Sequence, residues 1–157
     1  MTTNFKMRLF LVSLGACALT LATGGQGAPK SRMTLSEIMT LSFKKAGAGT
    51  SGVSGIQTRI LKGDPTRPGL YTIQLTVPAH TTIQAHDHPD DRVATVISGT
   101  WSLGYGPKFD AKALKSLPPG SFYTEPPHQP HFAQTGNQPA VVQITGYAPT
   151  GTKYIHP

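Results

Sequence analysis

Two histidines one residue apart, His86 and His88, open the stretch "HDHPDDRVATVISG", which runs through a β-branched segment to a glycine turn. In an extended strand residues i and i+2 point to the same face, so this spacing sets two imidazoles side by side, with Gln84 on the same parity. A divalent metal uses that arrangement. His131 is the natural third ligand, because it begins another short strand directly after "EPPHQPH", where Pro126, Pro127 and Pro130 restrict the backbone. Three neutral imidazoles suit Fe, Zn, Cu, Ni or Mn, and they leave coordination positions for water, substrate or dioxygen.

Neighbouring residues carry chemistry of their own. Glu125 precedes two prolines at the end of a strand and is placed to act as a fourth ligand, as a base, or as the partner of a cation; the competing reading is an exposed strand-end acid. Alternation in "SFYTEP" puts Phe122 and Thr124 on one face and Tyr123 and Glu125 on the other, so Tyr123 shares Glu125's surroundings and is a substrate-binding candidate. His128, beside His131, is the remaining acid–base candidate, set against the plainer reading of a loop residue. Asp90 and Asp91 read as solvated loop charges. His80 and His156 read as structural or exposed.

The elements that must position these groups are short. From Gln57 onward the chain breaks into "QTRILK", "LYTIQLTV", "TTIQAH", "RVATVIS", "TWSLGYG", "SFYTEP", "HFAQT" and "AVVQITGY", separated by Gly and Pro. Runs of this length and spacing indicate an all-β sandwich or barrel. "GDPTRPG" and "GYGPKFD" are rich in turn formers and belong at the barrel ends. Trp101, Tyr105, Phe122, Tyr123 and Phe132 are expected in the core or lining a pocket. Ahead of the barrel, "TLSEIMTLSFKKAG" reads as one short helix. Thr34 and Glu37 have capping-box spacing, Leu35, Ile38 and Met39 share a face, Lys44 and Lys45 sit where a helix C-terminus favours cations, and Gly47 ends it. The following "AGAGTSGVSG" is flexible by composition, either a tether or a strap packed on the barrel.

Together these residues resemble the cupin superfamily over about Leu70 to Gly146. Its first motif runs Gly, five residues, His-x-His, three or four residues, Glu, six residues, Gly; His86, His88 and Gly99 stand in their places. Its second runs Gly, five residues, Pro-x-Gly, two residues, His, three residues, Asn; Gly120, Pro126 and His131 match. The resemblance implies a small jelly-roll β-barrel with a metal inside it near one mouth, and a homodimer paired through strands outside the pocket. The departures are specific: His80 and His128 replace motif glycines, Thr135 replaces the Asn, and Arg92 stands at the glutamate position. A guanidinium cannot ligate a metal and stays protonated. The site then resembles the three-histidine cupins, which include Fe(II) dioxygenases. Arg92 either pairs internally with Glu125, or binds a substrate carboxylate, or is exposed by a slip of the strand.

Composition bounds the rest. The chain has 157 residues, 17 Gly, 14 Pro and 13% charged residues, which describes one turn-rich domain with a core large enough to fold without disulfides. At the amino terminus Lys6 and Arg8 precede an apolar run from Leu9 to Ala22 and then small residues, the pattern of an export signal with its cut near Gly27. It is short for a membrane span. Leu14-Gly15-Ala16-Cys17 also resembles a lipobox, so a lipoprotein anchored at Cys17 is the second reading. If Cys17 leaves with the signal, thiol catalysis is excluded. The formal net charge of +7 is scattered and not interleaved with aromatics, which argues against nucleic-acid binding. There is no phosphate-cradling glycine loop, no serine-nucleophile motif and no glycosidase-like pair of acids.

The expectation is therefore an all-β protein, a cupin-type jelly-roll barrel with a short N-terminal helix: residues 1–27 a signal peptide, 28–55 the helix and Gly/Ser-rich linker, 56–157 the barrel. It is expected to be periplasmic or secreted, with no transmembrane span once mature. His86, His88 and His131 would hold one divalent transition metal ion, with Fe(II) favoured. Glu125 and His128 are the catalytic candidates, and Arg92 and Tyr123 the substrate-binding ones. The leading function is an oxygenase-like metalloenzyme acting on a small anionic organic molecule; the alternative is a non-catalytic barrel that holds an anion through Arg92.

Overall fold

Alternation along the two longest strands decides the architecture. Strand β9 (Ala140–Ala148) buries Ala140, Val142, Ile144, Gly146 and Ala148 and turns mostly polar residues the other way. Such one-sided strands need a second layer to cover their apolar face. In the computed structural model, which describes residues 30–47 and 49–155, that layer is a second sheet. The remaining strands are β1 (Gln57–Lys62), β2 (Gly69–Val77), β3 (Thr82–Asp87), β4 (Arg92–Ser98), β5 (Trp101–Tyr105), β6 (Lys115–Leu117), β7 (Phe122–Glu125), β8 (His131–Thr135) and β10 (Lys153–Tyr154). One sheet has the order β1-β2-β9-β4-β7, the other β10-β3-β8-β5-β6. Every expected run appears as a strand. The strands β6 and β10 are additional; they are only three and two residues long, too short for periodicity to reveal.

The pairing is nested. β2 pairs with β9, β3 with β8, β4 with β7 and β5 with β6, all antiparallel. The chain is thus one long hairpin wound around a barrel with its tip at β5–β6, which is the jelly-roll topology. This nesting brings residues of the first motif beside those of the second. Tyr71, Ile73 and Val77 from β2, Ile83 from β3, Val96 from β4, and Val142 and Ile144 from β9 fill the space between the sheets. Gly99 closes the β4–β5 turn at φ +72°, where a Cβ would collide with the Pro139 carbonyl oxygen. Only glycine fits there, and this anchors the register of β4.

His80 and His128 are the two non-glycine residues with positive φ among those described, at +55° and +56°. They are also the two positions where the cupin motifs carry glycine. The backbone keeps the left-handed conformation although the side chain has changed, which costs each residue about 1 kcal/mol or more. Thr135, at the motif's Asn position, is buried and ties down the β2–β3 turn: it accepts from the Thr81 amide at 2.9 Å and donates to the Pro78 carbonyl at 2.6 Å.

The helix is shorter than expected. α1 spans Leu35–Thr40 with the Thr34–Glu37 capping box in place. It ends before the lysines, so Lys44 and Lys45 are not helical: Lys44 instead pairs with Thr58 of β1 in an isolated bridge, and Gly47 does not end the helix. Six residues bury little, and Leu35 and Met39 remain exposed. No helix among the described residues is long and apolar enough to cross a membrane. Residues 1–27 with Cys17, and His156, lie outside the described residues.

Candidate metal centre

A β-bulge in β3 places the first two histidines. Thr82 and Ile83 pair with Gln134 and Ala133, yet His86 pairs with His131, so β3 contains one residue more than β8 between these pairs. The extra residue resets the alternation. Ile83 and His86 therefore both face the interior, while Gln84 is exposed. The expectation that Gln84 shares the histidine face is corrected by this bulge. His88 lies one residue beyond the strand, and its carbonyl accepts a hydrogen bond from the His128 amide at 2.8 Å. The left-handed turn at His128 thereby staples the second motif's loop to the first motif.

His86, His88 and His131 are all buried, and their ligand nitrogens lie within 4.8 Å of one another. Each ring is oriented by a backbone carbonyl at Nδ1: Gln84 O at 2.7 Å for His86, Gly151 O at 2.5 Å for His88, Gln129 O at 3.1 Å for His131. A carbonyl only accepts, so each Nδ1 carries a proton and Nε2 is the nitrogen left to act as a ligand. Nε2 of His88 and of His131 are buried and have no hydrogen-bond partner. Burial first, and neighbouring positive charge second, push the pKa of His86 down to about 4 and that of His88 down to about 3. His86 and His88 are thus neutral, and three imidazole nitrogens gathered this closely form a donor set that fits a divalent transition ion.

Arg92 and Glu125 face each other across β4 and β7 as register partners. Arg92 donates from Nε to Glu125 Oε2 at 2.7 Å and from Nη2 to the same oxygen. Both side chains are buried. Although burial alone disfavours charge, each holds the other ionised: the Glu125 pKa lies well below its ordinary value, and that of Arg92 is raised. Glu125 also reaches the histidines, with Oε1 3.4 Å from His131 Nε2 and Oε2 3.9 Å from His88 Nε2. Tyr123 and Glu125 point inward while Phe122 and Thr124 point outward. Tyr123 Oη and Trp101 Nε1 are buried on the cavity wall without partners.

Other residues fall outside this group. The side chain of His128 is 72% exposed and sits 4.0 Å from Asp87, away from the cavity wall. Tyr105, the last residue of β5, and Phe122, on the outward face of β7, are 54% and 61% exposed and lie outside the core, lining a surface groove instead. Phe132 is buried. Asp91 is exposed, but Asp90 is not a solvated loop charge: it is buried and accepts from Tyr71 Oη at 2.7 Å and Thr150 Oγ1 at 2.5 Å. Burial raises the Tyr71 pKa to about 12, so the phenol remains a donor. Gly146 leaves the room for this pair, since a Cβ there would meet Asp90 Oδ2 at 2.6 Å.

Several contributors carry no motif signal. Gly151 orients His88, and the Tyr154 ring lies 5.4 Å from that of His86. The Gly/Ser-rich segment is a strap: Gly49, Thr50 and Ser51 line the cavity, held by Thr152 Oγ1 to Thr50 O at 3.1 Å and Tyr154 Oη to Ser51 O at 2.8 Å. The enclosed space is only about 20 Å³, enough for an ion or a water and too small for an organic substrate.

No family model matches the chain, and no curated protein matches it by sequence. Solved structures do. The polyketide cyclase RemF from Streptomyces resistomycificus matches with a TM-score of 0.65 at 16% identity, over 82% of this chain and 87% of that one. An RmlC-like cupin from Shewanella frigidimarina NCIMB 400 gives 0.52 at 16%, over 69% and 85%. The DMSP lyase DddQ from Ruegeria pomeroyi DSS-3 gives 0.55 at 15%, over 70% and 57%. The fold is that of the cupins, with a buried three-histidine group inside the barrel that could hold a metal ion.

Proposed function

We propose that the protein is an exported mononuclear metalloenzyme acting on a small anionic organic substrate, with Fe(II) the favoured ion and an oxygenase-like reaction. The observation that carries this reading is the convergence of three Nε2 atoms, each fixed by a carbonyl behind the ring. A metal held there supplies Lewis acidity toward a substrate oxygen and, as Fe(II), a place for dioxygen. Anionic or oxygen-rich substrates are supported by an unpartnered donor on the wall. The Trp101 indole N–H lies toward Tyr123 Oη, while the phenol's own O–H donates to no described residue, a deficit that a bound oxyanion or carbonyl would repair. The Tyr123 pKa is raised well above its ordinary value by burial, so its phenol stays a donor.

Arg92 contributes through Glu125, because a ligand binding it directly would have to displace a buried carboxylate. That makes the non-catalytic anion-holding barrel the weaker reading. Two of the structural relatives are named as enzymes, a cyclase and a lyase, which supports turnover. Substrate entry requires the strap at Gly49–Ser51 to lift, given the small enclosed volume. Export rests on the Lys6–Arg8 head and the Leu9–Ala22 run.

The test is metal content of tag-free protein by mass spectrometry, wild type against a His86→Ala, His88→Ala double variant, followed by dioxygen uptake with small organic acids. Near-stoichiometric metal that disappears in the variant is expected. A wild type that stays metal-free after exposure to several divalent ions sinks the reading. Turnover without dioxygen uptake would keep the metalloenzyme and replace the oxygenase. Export is checked by the mature N-terminus, expected near Ala28; an uncut chain retained in the cytoplasm refutes it.

A further inference from the structure

We infer that Glu125 is the carboxylate ligand of this metal centre and that Arg92 is its clamp, so the cupin motif's acid has crossed from β4 to the opposite position on β7. The inference rests on the metal-binding reading above and specifies the site's fourth protein ligand.

His131 and Glu125 face each other across the cavity. His131 Nδ1 is committed to the Gln129 carbonyl, which leaves Nε2 as the nitrogen turned to the cavity. The atom opposite Nε2 is Glu125 Oε1, 3.4 Å away. Both are buried, and no hydrogen bond of normal geometry joins them. A buried nitrogen and a buried carboxylate oxygen at that distance need a positive charge between them, and a metal ion held by the neighbouring His86 and His88 supplies it to both at once. Ligand atoms bound side by side to one divalent ion at about 2.0–2.2 Å lie roughly 2.8–3.6 Å apart, the lower values for octahedral and the upper for tetrahedral geometry, and 3.4 Å falls in that range.

The clamp leaves the required oxygen free. Both Arg92 contacts, from Nε and from Nη2, go to Oε2. Oε1 accepts none of the described hydrogen bonds and points at His131. A bidentate fork would have occupied both oxygens. Here one oxygen is anchored and the other is presented. Arg92 and Glu125 are direct register partners, so exchanging the two charges between strands leaves the ion pair in the same place between the sheets.

The exchange also changes the charge of the site. A motif glutamate with no arginine beside it removes one positive charge from a bound divalent ion. The Glu125–Arg92 pair adds nothing net, so the centre keeps the full charge of the ion while still offering a carboxylate. An anionic substrate is therefore favoured more strongly than at a site with an isolated glutamate ligand.

The experiment is zinc affinity by chelator competition, together with the visible spectrum of the cobalt(II)-loaded protein, for wild type, Glu125→Gln and the charge exchange Arg92→Glu, Glu125→Arg. Because Glu125→Gln strands a buried guanidinium, the Arg92→Met, Glu125→Gln double variant is measured beside it. Loss of the ligand predicts zinc binding weakened at least tenfold and a changed cobalt d–d band in both Gln variants. The charge exchange, which returns the carboxylate to β4, should recover most of the affinity. Unchanged affinity and spectrum in folded Gln variants, with binding abolished by His86→Ala, would overturn the inference and leave the three-histidine centre standing. A wild type that binds neither ion overturns both.

Discussion

Replacing Arg92 with Met asks whether one guanidinium holds a buried carboxylate ionised. Arg92 is 5% exposed and Glu125 4%, so neither has water to fall back on. Met fills much of the arginine stem's volume and offers no charge. In metal-free protein Glu125 then either stays ionised and unpaired, costing about 3–5 kcal/mol, or takes up a proton. Protonation caps the cost. At pH 7, binding a proton to a carboxyl of ordinary pKa 4.5 costs roughly 3.4 kcal/mol. The expected loss at pH 7 is therefore about 3–5 kcal/mol including the hydrogen bonds, on the order of 10 °C in Tm.

The pH dependence carries the diagnosis. In the variant the folded pKa of Glu125 rises above 4.5, so the native state binds more protons than the unfolded state, and the penalty grows as pH rises. Between pH 7 and pH 5 it should shrink by roughly 2–3 kcal/mol. In wild type the folded pKa is depressed, and Glu125 stays ionised across the same window. Urea unfolding of both metal-free proteins at the two pH values measures the difference, with NMR titration of His86 and His88 in each protein to subtract the change that losing the Arg92 charge makes to them. A penalty below about 1 kcal/mol at pH 7, or one equal at both pH values, would refute the reasoning.

Three further outcomes are expected. Metal-free wild type should lose stability as pH falls from 6.5 toward 4, by up to about 1.4 kcal/mol per unit for each buried histidine, since the unfolded state takes up protons that His86 and His88 refuse; a flat urea-midpoint profile there contradicts the burial argument. His80→Gly and His128→Gly should each stabilise by about 0.5–1 kcal/mol by relieving the left-handed backbone, and thermal melts showing destabilisation would mean that the imidazoles make contacts worth more than the strain. Removing both strap hydrogen bonds with Thr152→Val and Tyr154→Phe should speed metal release to a chelator by up to roughly thirtyfold, at about 1 kcal/mol per bond; an unchanged stopped-flow rate would show that the ion leaves by another route.

Local rules make much of this site legible in the amino-acid sequence. The His-x-His spacing, the rigid prolines ahead of His131, and the turn glycine at Gly99 each impose a backbone constraint that acts over a few residues, and all three hold. The parity of "SFYTEP" is readable for the same reason: β7 has no bulge, so Tyr123 and Glu125 do share the inner face. Gln84 shows the limit of that rule, because the extra residue that reverses its parity is defined only relative to β8. Asp90 reads as solvated because nothing nearby in sequence announces Tyr71 or Thr150, which lie 19 and 60 residues away.

The alternation that makes two sheets, the turn chemistry that separates the strands, and the intervals between the three histidines can all be read residue by residue, since they follow from the backbone's short-range geometry. Tertiary structure decided everything that depends on nested pairing. The winding sets β3 against β8 and β4 against β7, and so joins His86 to His131 and Arg92 to Glu125 across the chain. It also brings Gly151 behind His88 and the strap over the cavity. These contacts are made between residues with no local preference for each other, and only burial within one barrel gives them a common environment.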